Sequence, residues 1–268
     1  MQNSAEASSR RRDRVSRRDA LRYAGAATVL AGLGAASAIP TAPPAAAAGS
    51  QLIDFAAAQI PAEHIRAAGY AGVINYVSTS RPGSNFGAKP ITRPYAESLV
   101  RAGLVIVSNF QYGKPGGTAP SDFLRGGPGG IADAKTAWHL HTAAGGGQSA
   151  PIYFSVDDDI DRETWNNRAL PWFRGINSVI GVLRTGVYGG VKVCDWAIAD
   201  GVIGQSRTPG KRWAWQTRSW SNGKIHPAAV LYQRVIDTAS NPGPLVGGIR
   251  VDVNDVLAQD VGQWNLHP

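Results

Sequence analysis

The chain has 268 residues, of which 43% are hydrophobic and 17% charged, a composition typical of a globular protein rather than a disordered or fibrous one. Its single cysteine, Cys194, excludes an internal disulfide framework and a zinc site built from cysteines. The formal net charge is +8, and residues 1–48 contribute half of it, with seven Arg against three acidic residues. The modest, scattered basic charge of the remaining chain gives no indication of a nucleic-acid partner.

Residues 1–48 have the layout of an export signal. An arginine-rich start leads into a weakly apolar run over Tyr23–Ala38, and small residues follow up to residue 48. The adjacent Arg17 and Arg18 resemble a twin-arginine signal, which predicts the twin-arginine translocase as a partner during export. A transmembrane anchor is the alternative, but spanning a bilayer takes about 20 predominantly apolar residues. We therefore expect residues 49–268 to be exported as one domain with no stable membrane span after processing, and to be extracellular or associated with the cell wall.

The remaining chain alternates predicted strands and helices. The eight predicted strands are Leu52–Ala56, Ala71–Ser78, Leu104–Phe110, Pro151–Val156, Arg184–Tyr188, Arg212–Thr217, Val230–Gln233 and Ile249–Val253. The predicted helices are Pro61–Ala68, Arg93–Ala102, Ile131–Ala144, Arg162–Val182 and Val191–Asp200, with a long loop over the glycine-rich Gly113–Gly130. Such alternation is typical of a parallel sheet with crossover helices. The fold class is α/β, and eight units favour a closed (β/α)₈ TIM-type barrel; a doubly wound open sheet is the alternative.

Polar residues stand at the C-terminal ends of the predicted strands, where barrel enzymes carry their active sites. The first, fourth and eighth strands end in or contain Asp54, Asp157 and Asp252. Because the first and last strands are neighbours in a closed barrel, these acids are expected to face one cleft. The other polar residues near these strand ends are predicted to bind substrate: Asn75, Tyr76, Gln111, Ser155, Asp159, Tyr188, Gln216, Gln233, Asn254 and Asp255.

The fourth strand shows the orientation of its side chains most clearly. Period-two alternation gives it one apolar face, which is expected to meet the helices, and one face directed at the barrel interior. The apolar face consists of Ile152, Phe154 and Val156; the interior face consists of Tyr153, Ser155, Asp157 and Asp159. Asp157 is therefore the best-placed acid. A solvated turn or a helix cap is the alternative role for the neighbouring aspartates.

Several carboxyl groups in one cleft suit glycoside hydrolysis, in which one protonated acid donates to the leaving oxygen and an ionised one acts at the anomeric side. Asp157 is the predicted acid, with Asp54 and Asp252 as base or electrostatic partners. Trp220, in the loop after the sixth strand, is predicted to stack on a sugar ring, whereas Trp213 and Trp215 are expected to pack between the barrel and its helices. The acids could instead hold Ca²⁺ or Mg²⁺, but no metal site and no cofactor is predicted.

Several short motifs resemble a known family when taken together. They are Leu52–Asp54, Gly72–Tyr76, Ile152–Asp157, Gly186–Gly189, Trp215–Gln216 and Val251–Asn254. The series resembles the actinobacterial "glycoside hydrolase-like" domain family and, more distantly, the family 25 glycoside hydrolases, which are lysozyme-type barrels that cut peptidoglycan. The resemblance implies that Asp54, Asp157 and Asp252 occupy active-site positions, that Asp157 stands where the catalytic Glu of family 25 stands, and that Tyr188 and Gln216 lie on the substrate side.

Two departures from the family 25 pattern leave two hypotheses open. Ser155 stands where that family has the first acid of the fourth-strand pair, and Asp157 is one methylene shorter than the Glu. The first hypothesis is an exported glycosidase that acts on peptidoglycan or another extracellular polysaccharide. The second is a barrel that has kept its cleft, has lost turnover and binds cell-wall glycans.

Overall fold

The computed structural model describes residues 47–266, so nearly all of the predicted export signal lies outside the described residues. The protein is a closed eight-stranded barrel in which the strands lie in the order β1-β10-β7-β6-β5-β4-β3-β2. Its strands are β1 Gln51–Asp54, β2 Gly72–Tyr76, β3 Val105–Phe110, β4 Ile152–Ser155, β5 Thr185–Gly189, β6 Ala214–Thr217, β7 Leu231–Val235 and β10 Asp252–Val256. The predicted α/β barrel is therefore confirmed, and the open sheet is excluded.

Helices cover the outside of the first six strands. They are α1 Ala62–Ala67, α2 Arg93–Arg101, α3 Gly126–Ala143, α4 Arg162–Thr164, α5 Leu170–Ile180 and α6 Val191–Ala199. The single helix predicted over residues 162–182 is interrupted by a π turn at Trp165–Ala169, just before Pro171. Proline has no backbone N–H to donate to the preceding turn, so the α-helical hydrogen-bond ladder widens there. None of the helices in the described part of the chain is long and apolar enough to cross a membrane.

The predicted glycine-rich loop ends earlier than expected: residues 113–121 are irregular as predicted, whereas residues 126–130 are helical. Helix α3 begins at Gly126, and its first turns pack against α5. A Cβ atom on Gly130 would collide with the carbonyl oxygen of Trp172, and one on Gly175 with the carbonyl oxygen of Gly127. The glycines thus allow two helix backbones to approach closely, which explains why the segment is helical despite the low helix propensity of glycine.

The last barrel strand runs in the opposite direction from the prediction. β10 pairs antiparallel with both β1 and β7, whereas a parallel strand was expected at residues 249–253. The connection from β7 contains a small hairpin, β8 Leu245–Val246 and β9 Ile249–Arg250, and no helix. A parallel return needs a long crossover, usually a helix. Because this connection lacks one, the chain re-enters the barrel at the end where β7 finished.

Two hydrophobic layers hold the barrel together. An outer layer between sheet and helices includes Ile152, Phe154 and Val156, as the alternation of β4 predicts, and an inner layer fills the barrel. The inner layer contains Leu52, Ile74, Val105, Val107, Tyr153, Tyr188, Trp213, Trp215, Val230, Leu231, Val256, Ala258 and Val261. The segment after β10 closes the end of the barrel where β10 terminates, since the Tyr153 hydroxyl donates to the Val261 carbonyl at 2.8 Å. Only the opposite end, at the C-termini of the parallel strands, is open.

Candidate active site

A cleft of about 390 Å³ opens at the C-terminal ends of the parallel strands. Eight of the predicted site residues line it: Asp54, Tyr76, Gln111, Ser155, Asp157, Tyr188, Gln233 and Asp252. Strands β1, β4 and β10 each contribute one of the three proposed catalytic acids, although Asp157 itself follows the last residue of β4. The antiparallel β10 delivers its acid from its N-terminal end, which is the end that lies at the cleft.

Asp54 and Asp252 form a bridged pair of carboxyl groups. The Gln233 Nε2 atom donates to Asp54 Oδ2 at 3.1 Å and to Asp252 Oδ2 at 2.9 Å, so these two oxygens are at most 6.0 Å apart. Asn254 Nδ2 also donates to Asp54 Oδ2, at 2.7 Å, and the backbone N–H of Asp237 donates to Asp252 Oδ1, at 2.7 Å. Neutral donors therefore hold both carboxyl groups, and no Lys, Arg or His nitrogen of residues 47–266 lies within 4.0 Å of them.

Burial raises the pKa values of all three acids. It raises the pKa of Asp54 from 3.8 to about 6, although the bonds from Asn254 and Gln233 oppose the increase. Burial, reinforced by the charge of Asp54, raises the pKa of Asp252 to about 8. The pKa of Asp157 is also raised, again mainly by burial. Raised carboxyl pKa values in a cleft are typical of sites that exchange protons near neutral pH.

Asp157 is held separately from this pair. Its Oδ2 accepts a hydrogen bond from Gln111 Nε2 at 2.9 Å, and its side chain is half-buried. Ser155, two residues earlier and on the same face, donates its hydroxyl to Asn109 Oδ1 at 3.0 Å. The position where family 25 enzymes carry a further acid is thus occupied by a neutral Ser–Asn contact.

A network of aromatic and amide side chains lies below the acids. The Tyr188 hydroxyl donates to Gln233 Oε1 at 2.7 Å, which leaves the Gln233 amide nitrogen directed at the carboxyl groups. Trp215 Nε1 donates to Asn254 Oδ1 at 2.7 Å, and Asn254 in turn donates to Asp54. Asn254 is therefore in contact with the site from beneath, although it does not line the cleft. Trp215, expected outside the barrel, instead lies inside it and lines the cleft.

Besides Asn254, five predicted substrate-binding residues do not line the cleft. Asp159 is exposed and lies 3.0 Å from Lys192 Nζ. Asp255 faces outward, because alternation along β10 places Asp252 and Asn254 inside; it pairs with Arg234 at 3.0 Å and accepts from Gln51. These two acids belong to surface ion pairs.

The other three predicted residues that do not line the cleft are Gln216, Asn75 and Trp220. Gln216 contacts the backbone of the following loop, donating to the Lys224 carbonyl and accepting from the His226 N–H. Asn75 alternates with the inward-facing Ile74 and Tyr76 and is fully buried, with no hydrogen-bond partner for its side chain among residues 47–266. Trp220 is half-buried in the loop after β6. The prediction that these side chains line the cleft is wrong, because each was placed by its distance from a strand end and not by the face it occupies.

The cleft also contains cations that the sequence prediction missed. Arg81, Lys89, Lys114 and Arg250 line it, together with the ring of Phe86. Burial, with a further contribution from the charge of Arg81, lowers the pKa of Lys89 to about 7. Arg81, Lys89 and Lys114 lie in irregular connections, where no periodic pattern signals that a side chain faces the barrel mouth, and Arg250 lies in the two-residue strand β9. Across the described residues, no group of three or more His, Cys, Asp or Glu side chains is arranged to hold a metal ion.

Comparisons with known proteins agree with this architecture. Residues 63–256 match the family model described as "Rv2525c-like, glycoside hydrolase-like domain". A Mycobacterium tuberculosis protein named "Putative peptidoglycan hydrolase Rv2525c" is 45% identical over 254 residues, which span 93% of this chain and 99% of the relative. The crystal structure of that Tat-secreted protein in complex with L-tartrate has 45% identity and a TM-score of 0.73, covering 81% of this chain and all of the other.

A more distant structure shares the fold alone. The spore cortex lytic enzyme SleM of Clostridium perfringens has 14% identity and a TM-score of 0.51, covering 77% of this chain and 67% of the enzyme.

Proposed function

Because the chain belongs to the Rv2525c-like, glycoside hydrolase-like domain family, we propose that it is an exported glycosidase that hydrolyses a peptidoglycan-type glycan. The observation that carries this proposal is the convergence of Asp54, Asp157 and Asp252 on one cleft, each with a raised pKa. The name of the mycobacterial relative supports the substrate class. Export by the twin-arginine route is supported by Arg17 and Arg18 and by the description of the relative as Tat-secreted.

Asp157 is the proposed proton donor. Burial raises its pKa, the only hydrogen bond that opposes this increase comes from the neutral Gln111 amide, and no ion pair holds its carboxylate among the described residues, so it retains a proton to higher pH than a free aspartate. In the reaction its proton passes to the glycosidic oxygen as the bond to the anomeric carbon breaks. The resulting carboxylate then accepts a proton from the water that completes hydrolysis.

The Asp54–Asp252 pair is the proposed electrostatic partner. With a pKa of about 6 for Asp54 and about 8 for Asp252, the pair holds one proton and one negative charge at neutral pH. That single charge stabilises the positive charge that develops at the anomeric carbon. The Gln233 amide binds both carboxyl groups and keeps this charge at the cleft.

A glycan-binding barrel without turnover is the second candidate function. It is favoured by Ser155, whose hydroxyl bonds to Asn109 where a lysozyme-type barrel has an acid, and by the short side chain of Asp157.

Reducing-end release from purified peptidoglycan and from chitin oligosaccharides tests the proposal. The wild-type protein is expected to release reducing ends from peptidoglycan, and Asp157→Asn to lower the rate by about 100-fold or more. Asp159→Asn is the matched control, because that side chain is exposed and paired with Lys192. Binding of peptidoglycan with no release by the wild-type protein would overturn the enzymatic proposal in favour of the binding function.

A further inference from the structure

One wall of the cleft carries positive charge that no ion pair neutralises. Arg81 and Lys89 lie in the connection between β2 and α2, and Lys114 lies in the loop after β3. In the described part of the chain, no carboxylate oxygen lies within 4.0 Å of the cationic nitrogens of these three side chains. The acids of the cleft act on Lys89 and Lys114 only from a longer distance, where the two cations oppose part of the rise in the pKa of Asp157.

Aromatic rings and backbone carbonyls hold two of these cations close together. The Arg81 guanidinium lies 5.2 Å from the centre of the Phe86 ring, and Lys89 Nζ lies 4.9 Å from it. Lys89 Nζ is also 3.7 Å from the centre of the Tyr76 ring and donates to the Gln111 carbonyl at 3.0 Å. Such contacts attract cations without cancelling their charge. Both groups are thus fixed at the cleft: Arg81 is charged, and Lys89, whose pKa is lowered to about 7, takes up its proton more readily when an anion binds beside it.

Arg81 provides the second, independent observation. Its side chain is 8% exposed, it lines the cleft, and its Nη1 donates to the Tyr112 carbonyl at 2.6 Å. Its Nε–H is buried and has no partner among the described residues. A buried guanidinium with an unused donor beside a like-charged lysine is costly, and an anion in the cleft would offset both costs.

We infer that Arg81, Lys89 and Lys114 form a subsite for an anionic substituent of the glycan, a carboxylate or a phosphate monoester. This inference rests on the proposed function for its substrate class and adds a specificity determinant to it. The subsite and the carboxyl groups lie in the same cleft, so a bound glycan would present its anionic substituent to the cationic wall and its glycosidic bond to Asp157. Uncharged glucan or chitin chains would lack the first of these contacts.

Binding of matched disaccharides, measured by calorimetry, tests the subsite. The probes are N-acetylglucosaminyl-N-acetylmuramic acid, the same disaccharide with its carboxylate converted to a carboxamide, and that carboxamide carrying a 6-phosphate. Charge-assisted hydrogen bonds predict that the carboxylate or the phosphate form binds about tenfold more tightly than the uncharged form, and that added salt reduces the difference. Whichever anion shows the preference identifies the substituent. Equal affinities for all three probes would overturn the inference.

Substitutions of the cationic side chains test whether they cause the preference for an anionic probe. Arg81→Gln and Lys114→Gln are each expected to reduce the preference for the anionic probe several-fold while leaving binding of the carboxamide unchanged. Lys114 is exposed, so its variant tests the subsite even if removal of the buried Arg81 impairs folding. Lys135→Gln, an exposed lysine on α3, is the control and should have no effect. An equal loss in the control would contradict the inference.

The two proposals fail separately. Hydrolysis with no charge preference would overturn the subsite and leave the glycosidase standing. A preference for the anionic probes with no hydrolysis would overturn the glycosidase proposal and leave the anion subsite standing.

Discussion

Asp54 and Asp252 are directly opposite each other on the antiparallel strands β1 and β10, and one amide nitrogen, Gln233 Nε2, donates to both. Two buried carboxyl groups this close cannot both ionise readily, because the negative charge of Asp54 adds to burial in raising the pKa of Asp252. The reversal of β10 is what creates the pair, since it brings the first residue of that strand to the cleft beside the last residue of β1. The predictions below on pH follow from this arrangement.

Asp252→Asn is expected to change how stability depends on pH. The pKa of Asp252 is raised in the folded protein, from 3.8 to about 8, so the folded state binds this proton more tightly than the unfolded state does. Stability from this group is fully present below pH 4 and is lost as the pH rises towards 8. An asparagine cannot ionise and avoids that loss. Urea unfolding should show the variant gaining more than about 1 kcal/mol over wild type between pH 5 and pH 8.

The difference between the two proteins is the informative quantity, because other groups titrate in the same range. Lys89, whose pKa is lowered to about 7, acts in the opposite direction above pH 7, but it is present in both proteins. Asp255→Asn alters an acid on the outer face of the same strand and serves as the control. A parallel pH dependence for wild type and Asp252→Asn would show that Asp252 does not titrate as described.

The rate of glycan hydrolysis is expected to be bell-shaped in pH. The rate should rise as Asp54 ionises near pH 6 and fall at higher pH as Asp157, the proposed proton donor, loses its proton. Initial rates of reducing-end release from pH 4.5 to 9.5 measure both limbs. Asp252→Asn leaves both of these groups in place and should retain both limbs. A falling limb that flattens in this variant would assign that limb to Asp252 instead of Asp157.

Tyr188→Phe is expected to impair turnover more than binding. The Tyr188 hydroxyl donates to Gln233 Oε1 at 2.7 Å and so fixes which end of the amide meets the acids. Without it the amide can rotate and present its oxygen to two carboxyl groups, which is repulsive. We expect a loss of stability of about 1 kcal/mol and a decrease in kcat of about tenfold with KM little changed.

Tyr232→Phe is the matched control for this change, because Tyr232 lies on β7, the strand that carries Gln233, and alternates with the inward-facing Leu231 and Gln233. A selective decrease in kcat for Tyr188→Phe supports a positioning role for the hydroxyl. An equal decrease in both variants would indicate general destabilisation of the barrel instead.

Alternation along a strand is readable from the sequence, but which face points into the barrel is not. The two faces of β4 were predicted correctly, since an apolar face and a polar face differ in kind. On β6 both faces are apolar enough to be buried. Trp213 and Trp215 were predicted to face the helices, whereas they face the barrel interior. The side chains on the adjacent strand β5 explain why the Trp215 ring lies inside the barrel. At Gly186 of that strand, a Cβ atom would lie 2.7 Å from the Tyr153 ring. The missing side chain on β5 leaves room inside for the Trp215 ring, 6.3 Å from that of Tyr153.

The cationic side chains of the cleft could not be predicted from the sequence, for a different reason. Arg81 and Lys89 occupy an irregular connection, where neither a period of two nor a period of 3.6 fixes the direction of a side chain. Only the path of the loop between β2 and α2 brings these two side chains to the cleft. The three catalytic candidates could be predicted because each directly follows, ends or begins a strand, and a barrel aligns those strand ends at one rim.

Trp264→Ala is expected to destabilise the barrel from the end opposite the cleft. Trp264 is 2% exposed, its Nε1 donates to Ser108 Oγ at 2.9 Å, and its ring meets His141 edge to face at 5.4 Å. Truncating a buried tryptophan leaves a cavity and removes one of the two hydrogen bonds of the Ser108 hydroxyl, which costs about 3–5 kcal/mol. Trp264→Phe keeps most of the ring and loses the hydrogen bond, so a smaller loss of about 1–2 kcal/mol is expected from urea unfolding. Because the acids lie at the other end, both variants should retain wild-type pH optima wherever they remain folded, and a shifted optimum would show that the two ends of the barrel are coupled.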